Sequence, residues 1–88
     1  MDMYDLLVKE YKEENWRKYI KNVGKSSLKV KGVQQDIVDA TVYSLGHSAA
    51  AEWLRKPNDN HLRGKSPIEV LKEHNGEKAL KVLIMRLH

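Results

Sequence analysis

Apolar residues recur at three- and four-residue spacing through most of this chain, and the runs close on glycine or proline. That pattern admits amphipathic helices and little else. Leu80, Leu83, Ile84 and Leu87 stand at i, i+3, i+4 and i+7, and Tyr4, Leu7, Val8 and Tyr11 repeat the spacing near the start. With 88 residues there is material for one hydrophobic core. The sequence therefore predicts an all-α fold, a small single-domain bundle of four to five helices.

Local signals place the elements. Asp2 is a candidate N-cap for the first helix, and Trp16, Tyr19, Ile20 and Val23 extend its period to a stop at Gly24. One long helix, or two with a bend near Asn15, fits that stretch. Residues 25–32 read as a loop or a short extended piece. A second helix is expected from about Val33 to Leu45, ended by Gly46, with Ile37 and Ala40 or Thr41 facing inward. Ser48 is the expected cap of a short alanine-rich helix through Leu54, stopped by Pro57. Residues 56–65 form a loop by composition, with Leu62 its one clear apolar anchor. Ser66, Pro67 and Glu69 make a strong helix start: a cap, a proline at the first helical position and a glutamate that reaches back to the cap. Asn75 and Gly76 break that helix, and a last one runs from Glu77 to about Leu87. The chain divides into an N-terminal helical region, 1–39, carrying a basic segment, and a helical module, 40–88, within one compact unit.

The chemistry-bearing side chains point away from catalysis. There is no cysteine, which excludes disulfides, thiolate nucleophiles and cysteine-based zinc sites. Histidines 47, 61, 74 and 88 lack the i, i+4 spacing of a helical metal pair, no glycine-rich phosphate loop is present, and the carboxylates stand singly. Asp36 and Asp39 are expected on a solvated helix surface. No metal, cofactor or enzymatic activity is expected. No apolar run approaches the roughly 20 residues that span a bilayer, and no charged-then-apolar leader opens the chain, so a cytoplasmic protein with no membrane partner is expected.

The net charge of +4 is distributed unevenly. Residues 1–33 hold eight basic and five acidic side chains, and Arg17, Lys18, Lys21, Lys25, Lys29 and Lys31 follow one another with no acidic residue between them. Flexible basic side chains in such a run suit phosphate contacts, so this segment is the candidate nucleic-acid surface. Its bland counterpart is a solvated helix face and loop. Gln34 to Trp53 has the outline of a helix-turn-helix, but its second helix offers Ser48, three alanines and Glu52 where base-reading residues belong.

From about Ala40 onward the chain resembles the C-terminal toxin-binding domain of the Xre, MbcA and ParS group of antitoxins. The residues that carry the resemblance are Trp53-Leu54 with Pro57-Asn58, then Leu62-Arg63-Gly64-Lys65-Ser66-Pro67, a later Gly76, and the closing Leu83-Ile84-Met85-Arg86-Leu87. They stand in the family's order and near its spacing, over slightly more than half the chain. The resemblance implies a non-enzymatic all-helical module of bacterial or phage origin that binds and neutralises a cognate toxin, commonly a RES-type enzyme that consumes NAD. It also implies that the C-terminal end enters the toxin's cleft, which makes Leu83, Arg86, Leu87 and His88 the candidate partner contacts. Residues 1–40 are shorter than a full helix-turn-helix domain of that family and lack its pattern. The alternative is a small phage or bacterial DNA-binding transcriptional regulator. A third reading is a scaffold piece whose Tyr4, Tyr11, Trp16 and Tyr19 form a homo-oligomer seam; the same four side chains fit the core face of the first helix equally well.

Overall fold

The computed structural model describes residues 2–87 and is all-helical. Its helices are α1 (Met3–Glu10), α2 (Glu13–Ile20), α3 (Gln35–Leu45), α4 (His47–Arg55), α5 (Pro67–Val70) and α6 (Gly76–Met85). Among the described residues no helix is long and apolar enough to cross a membrane.

The helix count exceeds the expected four to five because the first apolar run is divided. The break falls at Tyr11 and Lys12, both in extended conformation, ahead of the bend expected near Asn15. Glu13 and Glu14 explain the restart, since carboxylates in a first turn favour a new N-terminus. Asp2 caps α1 as expected, its carboxylate accepting the Asp5 N–H at 3.0 Å. Two boundaries differ from expectation. α3 opens at Gln35, after a turn in which the Val33 N–H donates to the Val30 carbonyl. Ser48 is not a cap: α4 opens at His47, and Gly46 serves both as the end of α3 and as the residue before α4. Its φ of 88° lets two helices meet across one residue, a conformation that side-chain-bearing residues rarely adopt.

α6 is the centre of the fold. Its residues from Ala79 to Ile84 are buried without interruption, which a helix sustains only when neighbours enclose it on several sides. Those neighbours are α1, α2, α3 and α5. Leu80 and Ile84 pack with Trp16, Val30, Ile37, Val38, Ala40 and Leu54, whereas Ala79, Val82 and Leu83 pack with Tyr4, Leu7, Leu62 and Val70. α4 lies outermost, against α3 and α5. Tyr4 and Trp16 are 5% and 4% exposed, and Tyr11 and Tyr19 are half-buried against the core. Of the four rings considered for a homo-oligomer seam, Tyr4, Tyr11 and Trp16 pack toward the core around α6 and Tyr19 packs against Tyr43 and Ser44 of α3, which is the core-face alternative; the Trp16 indole N–H donates to Asp36, 3.1 Å away.

Lys81 is the exception inside this apolar helix. Its stem is buried, and its ammonium pairs with Glu77 at 3.1 Å while lying 5.2 Å from the Trp16 ring and 5.8 Å from the Tyr11 ring. A long amphipathic side chain thereby fills the space under the α1–α2 break, its charge paired with Glu77 and set against two aromatic rings.

The start of α6 is fixed by Gly76. A Cβ at that position would lie 1.7 Å from the Val70 carbonyl oxygen, inside the backbone of α5 itself. Ser66 holds the other end of that turn with a complete capping box: its hydroxyl accepts the Glu69 N–H and the Glu69 carboxylate accepts the Ser66 N–H. In denaturant unfolding, Gly76→Ala is expected to cost more than about 3 kcal/mol, because rigid backbone must move to admit the methyl. Ser66→Ala should cost about 1 kcal/mol, the usual worth of a cap. A Gly76→Ala protein as stable as the parent would show that α5 and α6 can separate freely.

Candidate functional site

The basic segment is the first candidate surface. Arg17, Lys18 and Lys21 are exposed along and just beyond α2, and Lys25, Lys29 and Lys31 are exposed on the loop leading to α3. Arg17 is paired with Glu13 at 3.0 Å, which leaves five cations of the six without an ion pair among the described residues. The loop carries no helix or strand, yet it is fastened. Asp39 of α3, 9% exposed, accepts the Ser26 backbone N–H at 3.0 Å, the Ser26 hydroxyl at 2.9 Å and the Gln35 side-chain amide at 2.8 Å. The same Gln35 amide donates to the Leu28 carbonyl, and Lys29 donates to the Gln35 side-chain oxygen at 3.1 Å.

This corrects the expectation that Asp36 and Asp39 lie on a solvated face. Asp36 accepts from Trp16, and Asp39 is the anchor of the basic loop. Burial pushes the Asp39 carboxyl up, but the hydrogen bonds from Gln35 and Ser26, with Lys29 nearby, outweigh it and hold the carboxyl below its ordinary value. Beside it Ile20, Val23, Lys25, Ser26, Lys29, Gln35 and Asp36 line an open hollow of about 540 Å³. Lysines stand there over an apolar floor, on a loop already held in place.

The C-terminal candidates separate. Leu83 is 4% exposed and packs in the core beside Leu7 and Tyr4, so its predicted partner role is corrected to a structural one. Arg86 is exposed just past α6 and pairs with Glu10 at the end of α1. Leu87 is half-buried against the core, with its N–H donating to the Ile84 carbonyl at 3.0 Å. His88 lies outside the described residues.

The motif residues Trp53, Leu54, Pro57, Asn58, Leu62, Gly64, Ser66, Pro67 and Gly76 fall on one continuous path from α4 to α6. Leu54, Leu62 and Pro67 are fully buried. Asn58 organises the loop between them: its carbonyl accepts from Leu62 and Gly64, its side chain accepts the His61 N–H at 2.9 Å, and its own N–H donates to the Lys65 carbonyl at 3.0 Å. Arg63 and Gly64 carry positive φ of 56° and 79°, completing the reversal. Arg63 then folds back over the Tyr4 ring at 4.4 Å and forks to Asp2 and Asp5, drawing α1 onto the loop. That guanidinium, with the Asp5 N–H, holds the Asp2 carboxyl down to about 2. Pro57 is exposed, and Trp53 is half-buried against the core with an open hollow beside it.

No group of three or more metal-ligating side chains stands together among the described residues. Comparison with protein-family models, with curated proteins and with solved structures finds no match.

Because the folded Asp39 carboxyl titrates below its unfolded value, its contribution is present above the unfolded pKa near 3.8 and disappears as pH falls through the lower folded value. Asp39→Ala should cost roughly 1–3 kcal/mol near neutral pH, the penalty for orphaned donors. The difference from the parent protein should shrink as both are unfolded at progressively lower pH. Hydrogen exchange at Ser26 should rise in the variant; unchanged protection there would disprove the fastening.

Proposed function

We propose that the chain is a non-enzymatic, antitoxin-like binding module that acts in the cytoplasm by binding and neutralising a toxin, of the RES-type NAD-consuming class. The observation that carries this reading is the division of labour along the resembling segment. Asn58, Gly64, Ser66, Pro67 and Gly76 each do a job of folding that few substitutes could do. They support α6, whose end leaves the core with Arg86 exposed. A rigid helix that offers its last turn to a partner loses little conformational freedom on binding. Arg86, Leu87 and His88 are then the contacts, with Leu83 holding the helix beneath them.

The test is a nuclease-treated pull-down of the tagged protein from its host lysate, followed by assay of the recovered protein for NAD consumption. An NAD-consuming enzyme that is inhibited by the full chain, and released by a chain shortened by Arg86, Leu87 and His88, is the expected result. The shortened chain should stay folded, since it loses an exposed Arg86–Glu10 pair worth at most about 1 kcal/mol and a Leu87 that is only half-buried at the edge of the core. Leu83→Ala, in contrast, should cost about 2–5 kcal/mol of stability. Undiminished inhibition by the shortened chain would remove the tail from the mechanism.

The fastened basic loop favours a second reading, a small DNA-binding transcriptional regulator. Here Lys18, Lys21, Lys25, Lys29 and Lys31 contact phosphates, with Arg17 joining if Glu13 releases it. Affinity for duplex DNA should fall steeply with salt, and each lysine replaced by alanine should lower the log–log slope by about one. Recovery of nucleic acid alone in the pull-down, lost on nuclease treatment, would favour this reading over the first.

A further inference from the structure

We propose that the outward face of α4, built from Ala49, Glu52, Trp53 and Lys56, docks against the same face of a second copy of this chain, the two helices running antiparallel about a two-fold axis. α4 packs against α3 and α5, with Ala50 and Leu54 buried and Trp53 partly buried against the core. Ala49 and Glu52 fall on the opposite side by helical spacing, and Leu45 and Lys56, at the two ends of α4, line the same hollow as they do. Trp53 is half-buried there and forms a wall shared by two hollows. One, of about 240 Å³, is lined by Leu45, Ala49, Glu52, Trp53 and Lys56. The other, of about 390 Å³, continues past Pro57 to His61. An amphipathic ring between two unfilled hollows is the kind of side chain that anchors interfaces.

The charges identify the occupant. A two-fold interface must be complementary to itself, and Glu52 and Lys56 supply that: four residues apart, about 6 Å along the axis, they exchange partners when a second helix lies antiparallel over them. Glu52 then meets Lys56 of the other copy, twice. Neither joins any ion pair within its own chain among the described residues, although most carboxylates around α1, α5 and α6 do. Ala49 and Ser48 keep the surface low enough for helix axes to approach to about 8–10 Å. An acidic or basic partner would find no net charge to recognise here, unlike at the lysine loop.

One nine-residue helix covers less than the roughly 800 Å² that each side of a standard interface buries, so a weak, concentration-dependent dimer is expected. Sedimentation velocity of the full chain from low micromolar to near-millimolar concentration should show a monomer passing to a dimer, with Trp53 emission shifting to the blue over the same range. E52K and K56E should each remain monomeric throughout while keeping the parent's circular dichroism. The E52K/K56E double variant, which restores opposite charges across the axis, should dimerise again. A parent that stays monomeric, or single variants that dimerise as well as the parent, would overturn the proposal; so would a folded double variant that stays monomeric. None of these outcomes depends on whether a toxin or DNA is bound.

Discussion

The contact between Gly76 and the Val70 carbonyl decides where α6 begins, and nearly everything else is arranged around that helix. Backbone lies on backbone at this point, so α5 and α6 cannot be shifted against one another without opening the joint. The left-handed Asn75 just before it turns the chain through the joint, and the capping box at Ser66 fixes the preceding turn. Once α6 is placed, its buried residues from Ala79 to Ile84 offer one side to α1 and the Leu62 loop and another to α2 and α3. A domain this small cannot hold two independent cores, and it solves the problem by using one helix for both sides.

Polar groups within that arrangement are paired, which is why two of them matter beyond stability. No buried side-chain nitrogen or oxygen among the described residues lacks a hydrogen-bond partner. Lys81 occupies the break between α1 and α2, where an apolar side chain of the same reach would leave the Glu77 carboxylate unpaired. Asp39 turns a glycine- and serine-containing lysine loop into a held surface, through three donors converging on one carboxylate. Ordering a loop before binding removes an entropic cost from the binding step, so the same interaction that stabilises the fold also prepares the loop's cations.

Short-range signals were readable in the sequence where one residue type answers one backbone demand. Asp2, Gly46, Gly76 and the Ser66-Pro67-Glu69 start all act within a turn of their own position, and all lie at or within one residue of the expected boundaries. What escaped were effects that need a distant partner. Asp39 looks like surface until Ser26, thirteen positions earlier, is laid beside it. Leu83 has the spacing of an interface residue and of a core residue alike, and only the approach of α1 decides between them. Lys81 interrupts an apolar run and would ordinarily mark a solvent face; the Trp16 and Tyr11 rings above it allow burial of its stem. The misread Ser48 cap has a local cause, since the positive φ of Gly46 let α4 begin before the serine was reached.

A chain with 41% hydrophobic residues and a core that uses nearly all of its large ones has little apolar surface left for partners. Recognition therefore falls to side chains that combine a carbon stem or ring with a polar end. Lysines over Ile20 and Val23, Arg86 at the end of α6, and Trp53 between Glu52 and Lys56 are three places where such side chains remain exposed or half-exposed. They differ in charge: strongly positive at the loop, a single cation already paired at the tail, neutral and self-matching on α4. Different charge patterns select different partners by electrostatic mismatch alone, so one small helical core can carry separate contacts without their competing for the same ligand.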